Sequence, residues 1–191
     1  PLYSSAASDV YKRQVMGSVS ASVVSHASCP VVVVREDNHV TDSTKYGPVV
    51  VGVDGSEVSQ KATAYAFREA QARGAALIAV HTWMDMQVQA SLAGLSAAQS
   101  EWADIEKEQS ELLAENLKEP REEYPDVEVK QLITRDRPVS ALTEAAEGAQ
   151  LLVVGSHGRG GFKGMLLGST SRALLQSAPC PMMVVRPDED N

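Results

Sequence analysis

The chain has 191 residues, of which 43% are hydrophobic, and a formal net charge of −8 at pH 7. This length allows one domain with an ordinary core, or one domain plus a fragment. An acidic chain without clustered Lys and Arg does not suit a nucleic-acid or anionic-membrane surface, because phosphate contacts need basic clusters. It also has no apolar run of roughly 20 residues, the length that spans a bilayer, and no signal-peptide pattern. Two widely separated cysteines, Cys29 and Cys180, fit a reducing compartment. We therefore expect a soluble, cytoplasmic protein that binds neither nucleic acid nor membrane.

The first third of the chain contains a fragment of an internal repeat. Residues 1–14 are polar and resemble translated adapter sequence more than a natural domain start, so we assign no element to them. Gly17 to Arg35 then matches Gly168 to Arg186 without a gap. Such a repeat indicates the tail of one unit followed by a whole second unit, although two unrelated helix and strand pieces of similar composition are the alternative. The predicted organisation is a remnant at 15–36, a linker at 37–47, a complete domain at 48–187 and a tail at 188–191.

The complete domain shows apolar strands that alternate with helical patterns. The predicted strands are Val49–Val53, Ala75–Thr82, Val127–Ile133, Leu151–Val154 and Met182–Val185. Helices are predicted between them from the N-cap Ser56 to Gly74, over Ala98–Lys118 with a stop at Pro120, from Pro138 onward and over Ser169–Gln176. This alternation predicts an α/β fold with an open, mostly parallel five-stranded sheet and helices on both faces. Ligands bind such sheets outside the carboxyl ends of the strands, which places Asp54 near the loop after the fourth strand.

That loop is rich in glycine and leads into the last helix. It holds six glycines, and the hydroxyl residues Ser169, Thr170 and Ser171 follow them: Gly155, Gly158, Gly160, Gly161, Gly164 and Gly168. Glycine lets backbone N–H groups turn toward a ligand, and the unpaired N–H groups at a helix start attract phosphate oxygens. The pattern favours an anion site over the alternative of a merely flexible loop.

Two common phosphate motifs do not fit the loop. A P-loop requires Gly-Lys followed by Ser or Thr, and the chain contains neither sequence. A dinucleotide fingerprint fits only as far as Gly160, because Lys163 occupies the place of the third glycine. The glycine loop therefore matches neither of these two motifs.

The spacing Gly155-x2-Gly158-x9-Gly168-Ser169, together with the strand end Val51–Ser56, resembles the universal stress protein family. The resemblance covers Pro48 to Arg186 and extends to the truncated copy at Met16 to Arg35, as in a tandem member whose first domain keeps only its last helix and strand. It implies a five-stranded α/β fold related to flavodoxin-like and adenine-nucleotide α-hydrolase folds. One subgroup of the family binds ATP through this glycine motif.

The resemblance also implies roles for individual residues. The glycines bring backbone close to the phosphates, the hydroxyl residues donate to them, Asp54 accepts hydrogen bonds from the ribose, and Thr82 lies where the backbone contacts adenine. A plain turn or capping role is the alternative for Asp54, and a solvated loop cation is the alternative to phosphate neutralisation by Arg159. The implied binding residues are Asp54, Thr82, Gly155, Gly158, Arg159, Gly168, Ser169, Thr170 and Ser171.

The sequence offers few candidate catalytic residues. His157 lies beside the motif without a partner carboxylate at motif spacing, and no paired carboxylates, activated nucleophile or metal cluster is evident. We expect an ATP-binding stress-response or signalling module, with Mg²⁺ accompanying the nucleotide and little or slow turnover. An interaction module of the same family without nucleotide and a slow ATPase remain the alternatives.

The last strand of the domain is expected to pair across an interface. Family members commonly join their final strands antiparallel in a dimer, so the resemblance implies a homodimer or an intrachain pseudo-dimer. Val31 to Arg35 is such a final strand with no sheet of its own, and an unpaired apolar edge is a liability. We therefore predict that it pairs with Met182 to Arg186.

Overall fold

The computed structural model describes residues 17–35, 38, 46–83, 99–159 and 166–187. Six strands and five helices lie within these ranges. In chain order they are α1 (Ser18–His26), β1 (Val31–Val33), β2 (Val49–Gly52), α2 (Glu57–Arg73), β3 (Leu77–Thr82), α3 (Gln99–Glu123), β4 (Val129–Thr134), α4 (Pro138–Ala145), β5 (Leu151–Gly155), α5 (Ser169–Ser177) and β6 (Met182–Val185).

The six strands form one sheet in the order β1-β6-β5-β2-β3-β4. Strands β2 to β6 all run parallel to one another, which confirms the predicted five-stranded parallel α/β sheet. Strand β1 adds to the edge antiparallel to β6, with Val31 opposite Val184 and Val33 opposite Met182. The pairing predicted for Val31 to Arg35 is therefore present over β1, and it extends the sheet by one strand.

Helices cover both faces of the sheet, and each face has its own apolar core. On one face, α1, α4 and α5 contribute the buried Val24, Leu142 and Leu174. On the other, α2 and α3 contribute the buried Phe67 and Leu113. The parallel strands between the two cores are nearly continuous aliphatic runs, as expected for strands buried on both faces.

The helix ends predicted from the sequence are confirmed for α2, and the predicted end of α3 is wrong. Ser56 caps α2 by accepting a hydrogen bond from the Ser59 amide, and Gly74 ends it in the left-handed conformation with φ of 60°. The predicted stop at Pro120 is wrong, because α3 continues to Glu123. Pro120 lies in the last turn, where it removes a single N–H, and its own carbonyl still accepts from the Tyr124 amide at 2.9 Å.

Several predicted segments lie wholly or partly outside the described residues. Residues 1–14 and 188–191 lie outside the described residues, as does residue 98, the predicted start of α3. Of the predicted linker 37–47, only residues 38, 46 and 47 are described. Across the described ranges, no helix combines the length and apolar character that crossing a membrane requires.

The two cysteines occupy repeat-related positions but differ in environment. Cys29 is exposed and Cys180 is buried, and both are free thiols. Burial raises the pKa of the Cys180 thiol to about 11.

We predict that at pH 8 a disulfide reagent reacts with Cys29 alone, since the thiolate is the reactive form and Cys180 stays protonated and buried. Denaturation should release the second thiol; rapid reaction of both in the native protein would contradict this placement.

Candidate functional site

The site lies where the carboxyl ends of the parallel strands meet at one edge of the sheet. Strand β2 lies between β5 and β3, with Val51 opposite Val153 and also beside Ala79. The residues that follow these strand ends, among them Asp54 and the glycine loop, therefore share one edge. The chain leaves β2 toward β3 and β4 and later returns to β5 on the other side, which makes this edge a topological switch point.

Asp54 joins the end of β2 to the glycine loop. Its Oδ1 accepts a hydrogen bond from the Ser56 amide at 2.9 Å, which is the turn role expected of an aspartate before a helix. Its Oδ2 accepts from the Arg159 amide at 3.2 Å. The carboxylate thus takes part in the turn and contacts the loop, and a carboxylate has further lone pairs for other donors.

Two glycines allow this close approach. A Cβ atom on Gly158 would overlap Oδ2 of Asp54. Gly55 has φ of 79°, a region that side chains other than glycine rarely adopt, and a Cβ there would lie 2.6 Å from Nη2 of Arg159. The Arg159 guanidinium therefore lies over Gly55, the residue that follows Asp54 in the chain.

The two ends of the loop are tied together by backbone hydrogen bonds. The Ser156 amide donates to Val185 O at 2.7 Å, and the Gly168 amide donates to Ser156 O at 2.7 Å. A Cβ on Gly168 would lie 3.2 Å from the Cα of His157, and one on Gly155 would lie 3.0 Å from Val58 Cγ1. Packing within the protein is thus sufficient reason for glycine at both of these positions.

The first turn of α5 follows the loop, and its first backbone N–H groups have no partner within the helix. Gly168 is the N-cap and has no side chain to accept from the first amide groups of the helix. Ser169 is exposed and Thr170 is half-buried, whereas Ser171 is buried. The Ser171 hydroxyl donates to Gly155 O at 2.7 Å, so this side chain holds the start of α5 against the end of β5.

Thr82 ends β3 on the same edge, one strand away from β2. It pairs with Thr134 on β4, and its side chain is half-buried. The next residue, Trp83, is buried, and the Arg135 guanidinium lies 5.1 Å from its ring centroid. The structure therefore brings Asp54, Gly158 and Arg159 into direct contact and places Thr82 beside them on the neighbouring strand.

The described side-chain contact of His157 is with its neighbour Ser156. Its Nδ1 lies 3.0 Å from the hydroxyl oxygen of the preceding Ser156, a residue only 1% exposed. Among the residues that the structure describes, no group of three or more His, Cys, Asp or Glu could hold a metal ion.

Two buried polar residues near Asp54 were missed by sequence reasoning. The Asp54 amide donates to Ser59 Oγ at 3.0 Å, and the carbonyl of Val53 lies 2.6 Å from His81 Nδ1. A hydroxyl three residues into a helix and a histidine inside an aliphatic strand were the available signals. Neither pattern specifies what the side chain contacts, because the partners come from other parts of the chain.

The fold and this edge define an α/β domain of the doubly wound class, in which a carboxylate after one strand meets a glycine loop before a helix. A model of the universal stress protein family matches residues 45–186. The chain belongs to the universal stress protein family.

Known proteins of the family show how much of a full protein the chain represents. It is 48% identical over 174 residues to the universal stress protein Rv2005c of Mycobacterium tuberculosis, a match that covers 91% of this chain and 57% of that protein. The chain thus spans little more than half the length of this relative. A universal stress protein from Archaeoglobus fulgidus DSM 4304 superimposes with a TM-score of 0.58 at 25% identity, covering 92% of this chain and 56% of that one. A universal stress protein in complex with cAMP superimposes with a TM-score of 0.51 at 27% identity, covering 73% and 96%.

The contact between Gly158 and Asp54 can be tested by a double-mutant cycle. Gly158→Ala should lower the free energy of unfolding by about 1–3 kcal/mol, the usual cost of overpacking. In an Asp54→Ala background the same substitution should cost at least about 1 kcal/mol less, because the overlapping carboxylate is gone. Denaturant unfolding of the four proteins measures this coupling.

Gly148→Ala provides the matched control. Gly148 has φ of 74° and open space around its Cα, so this substitution introduces backbone strain without touching Asp54. Its cost should be the same with and without Asp54→Ala. A Gly158→Ala cost that is equally independent of Asp54 would contradict the described contact.

Proposed function

We propose that this chain binds an adenine nucleotide, ATP accompanied by Mg²⁺, at the edge between Asp54 and the glycine loop. The observation that carries the proposal is the hydrogen bond from the Arg159 amide to Asp54 Oδ2 at 3.2 Å. It brings an acceptor suited to sugar hydroxyls and a loop suited to phosphates to one place. The similarity to a universal stress protein in complex with cAMP supports an adenine nucleotide as the ligand.

Each part of the site has a role in this proposal. Asp54 accepts from the ribose hydroxyls, and the backbone of Thr82 contacts the adenine. The amide groups at the start of α5, with Ser169 and Thr170, donate to the phosphates, and the Arg159 guanidinium offsets their charge. Gly158 lets the loop approach Asp54, Gly155 and Gly168 let the loop close on itself, and the Ser171 hydroxyl holds the start of α5 against the end of β5.

Mg²⁺ fits this site as a partner of the phosphates. The ion usually keeps several waters and binds through substrate phosphates with one or two carboxylates, so it needs no protein cage of its own. When bound, it would neutralise phosphate charge. Asp54 is a carboxylate that contacts the loop, through the Arg159 amide.

The proposed role is that of a stress-response or signalling module with little or slow turnover. Rapid hydrolysis requires a base that activates water, and the histidine nearest the loop, His157, instead lies 3.0 Å from the neighbouring Ser156 hydroxyl. Nucleotide occupancy would then act through partners rather than through a product. We place the protein in the cytoplasm, where the free thiols of Cys29 and Cys180 stay reduced.

Thermal unfolding with ATP and Mg²⁺ tests the proposal. ATP at 100 times its Kd should stabilise the protein by about 2.7 kcal/mol and raise its Tm. Asp54→Ala should weaken binding by about 10- to 100-fold, because a charge-assisted hydrogen bond is lost. Asp126→Ala removes the same charge from an exposed site at the amino end of β4, and it should bind as the unaltered chain does.

Phosphate release measured in the same samples separates the outcomes. Stabilisation with negligible release supports the proposal, whereas steady release would make the protein an ATPase. An unchanged Tm at saturating ATP would instead support an interaction module without nucleotide.

We further propose that residues 15–36 are the last helix and strand of a first universal stress protein unit. The support is the exposure of apolar side chains whose repeat-related positions are buried. Val23 and Val32 are 49% and 47% exposed, while the matching Leu174 and Met183 are 0% and 6% exposed. A first unit would cover α1 and β1 as the second unit covers α5 and β6, in a pseudo-dimer joined by the β1 and β6 edges.

Removal of residues 1–40 should promote dimerisation or aggregation. The deletion uncovers the edge of β6, and an apolar edge strand without a partner pairs with another chain. Light scattering coupled to size exclusion measures the change. Removal of residues 1–14 alone keeps α1 and β1 and should leave the oligomeric state unchanged. If the chain without residues 1–40 stays a soluble monomer, the prediction that the β6 edge needs a partner strand is contradicted.

A further inference from the structure

The peptide unit that joins Val53 to Asp54 is held at both of its polar ends by buried side chains. Its carbonyl oxygen lies 2.6 Å from Nδ1 of His81 on β3. Its amide donates to Oγ of Ser59 on α2 at 3.0 Å. His81 is 2% exposed and Ser59 is 3% exposed. Because a peptide unit is planar, fixing both ends fixes the direction in which the Asp54 Cα leaves it.

The carbonyl end depends on His81 because β2 ends one residue earlier, at Gly52. Val53 still donates its amide to Val80 O at 2.8 Å and is itself buried. A buried carbonyl without a donor loses its hydration and gains nothing in return. A carbonyl can only accept, so Nδ1 of His81 carries the proton in this contact.

Gln109 on α3 orients the imidazole. Its side-chain oxygen Oε1 lies 3.0 Å from Nε2 of His81, and the residue is 2% exposed. In this orientation Oε1 accepts a hydrogen bond from Nε2, and with the amide turned over the Gln109 nitrogen would donate to Nε2 instead. Either way the contact fixes the plane of the ring. Side chains from β3, α2 and α3 thus converge on one peptide unit directly before the candidate ribose acceptor.

The geometry points to His81, supported by Gln109 and acting with Ser59, as a positioning residue that sets the direction of the Asp54 carboxylate toward the ligand's ribose. This inference rests on the proposed nucleotide function. A histidine that only stabilised the core would change affinity for every ligand alike. A positioning histidine controls the part of the affinity that depends on ribose hydroxyls.

The test compares ATP with 2′,3′-dideoxy-ATP, which lacks both ribose hydroxyls, by titration calorimetry. The unaltered chain should prefer ATP by at least about tenfold, and Asp54→Ala should abolish the preference. His81→Leu removes the donor to Val53 and should reduce the preference to about twofold or less. His81→Asn keeps an N–H near the position of Nδ1 and should retain most of it. Ser59→Ala removes the acceptor of the Asp54 amide at the other end of the peptide. This variant should also show a reduced preference for ATP over 2′,3′-dideoxy-ATP.

Leu117→Ala is the matched control for lost stability. Leu117 is fully buried on α3 and packs in the same core face as the strand residue Val53. This variant should unfold at a lower temperature while keeping the preference for ATP. A loss of preference in Leu117→Ala equal to that in His81→Leu would reduce His81 to a structural role and overturn the inference.

The outcomes separate the inference from the function on which it rests. If the unaltered chain binds neither nucleotide, the proposed function fails and the inference falls with it. If the unaltered chain discriminates, Asp54→Ala does not, and both His81→Leu and Ser59→Ala discriminate as before, the inference alone is wrong. Should His81→Leu fail to fold, Ser59→Ala still decides the question, because the inference requires it to lower the preference for ATP.

Discussion

The parallel pairing of β2 with β5 is the constraint on which the site depends. These strands are far apart in sequence, and between them the chain builds β3 and β4 on one side before it crosses to the other. Their register, with Val51 opposite Val153, brings both carboxyl ends to the same edge. Asp54 and the glycine loop are neighbours because of this pairing, and a ligand at the edge would contact both sides of the switch point.

The close approach of the glycine loop to Asp54 explains why glycines lie beside this carboxylate. Gly158 has no room for a Cβ beside Asp54, and Gly55 has neither the backbone angle nor the space for one under Arg159. The glycines at 155 and 168 serve a different purpose, since protein atoms already pack against them. The glycine motif therefore combines positions that admit the loop to Asp54 with positions that close the loop on itself.

The elements of the fold could be predicted from sequence because their signals are local. Aliphatic runs bounded by caps such as Ser56 and Gly74 defined strands and helices, and the spacing of the glycines identified the family. Pro120 misled because α3 continues past it to Glu123, although proline has no N–H to donate to the carbonyl four residues back. His81 and Ser59 carried no interpretable signal, because their partner, the peptide before Asp54, becomes their neighbour only when β2, β3 and α2 pack together.

A crystal structure of the chain grown with ATP and Mg²⁺ tests the central claim most directly. The account predicts ribose hydroxyls within hydrogen-bond distance of Asp54 and phosphates against the amide groups at the start of α5, beside Arg159. A nucleotide bound elsewhere, or one whose ribose faces away from Asp54, would contradict it.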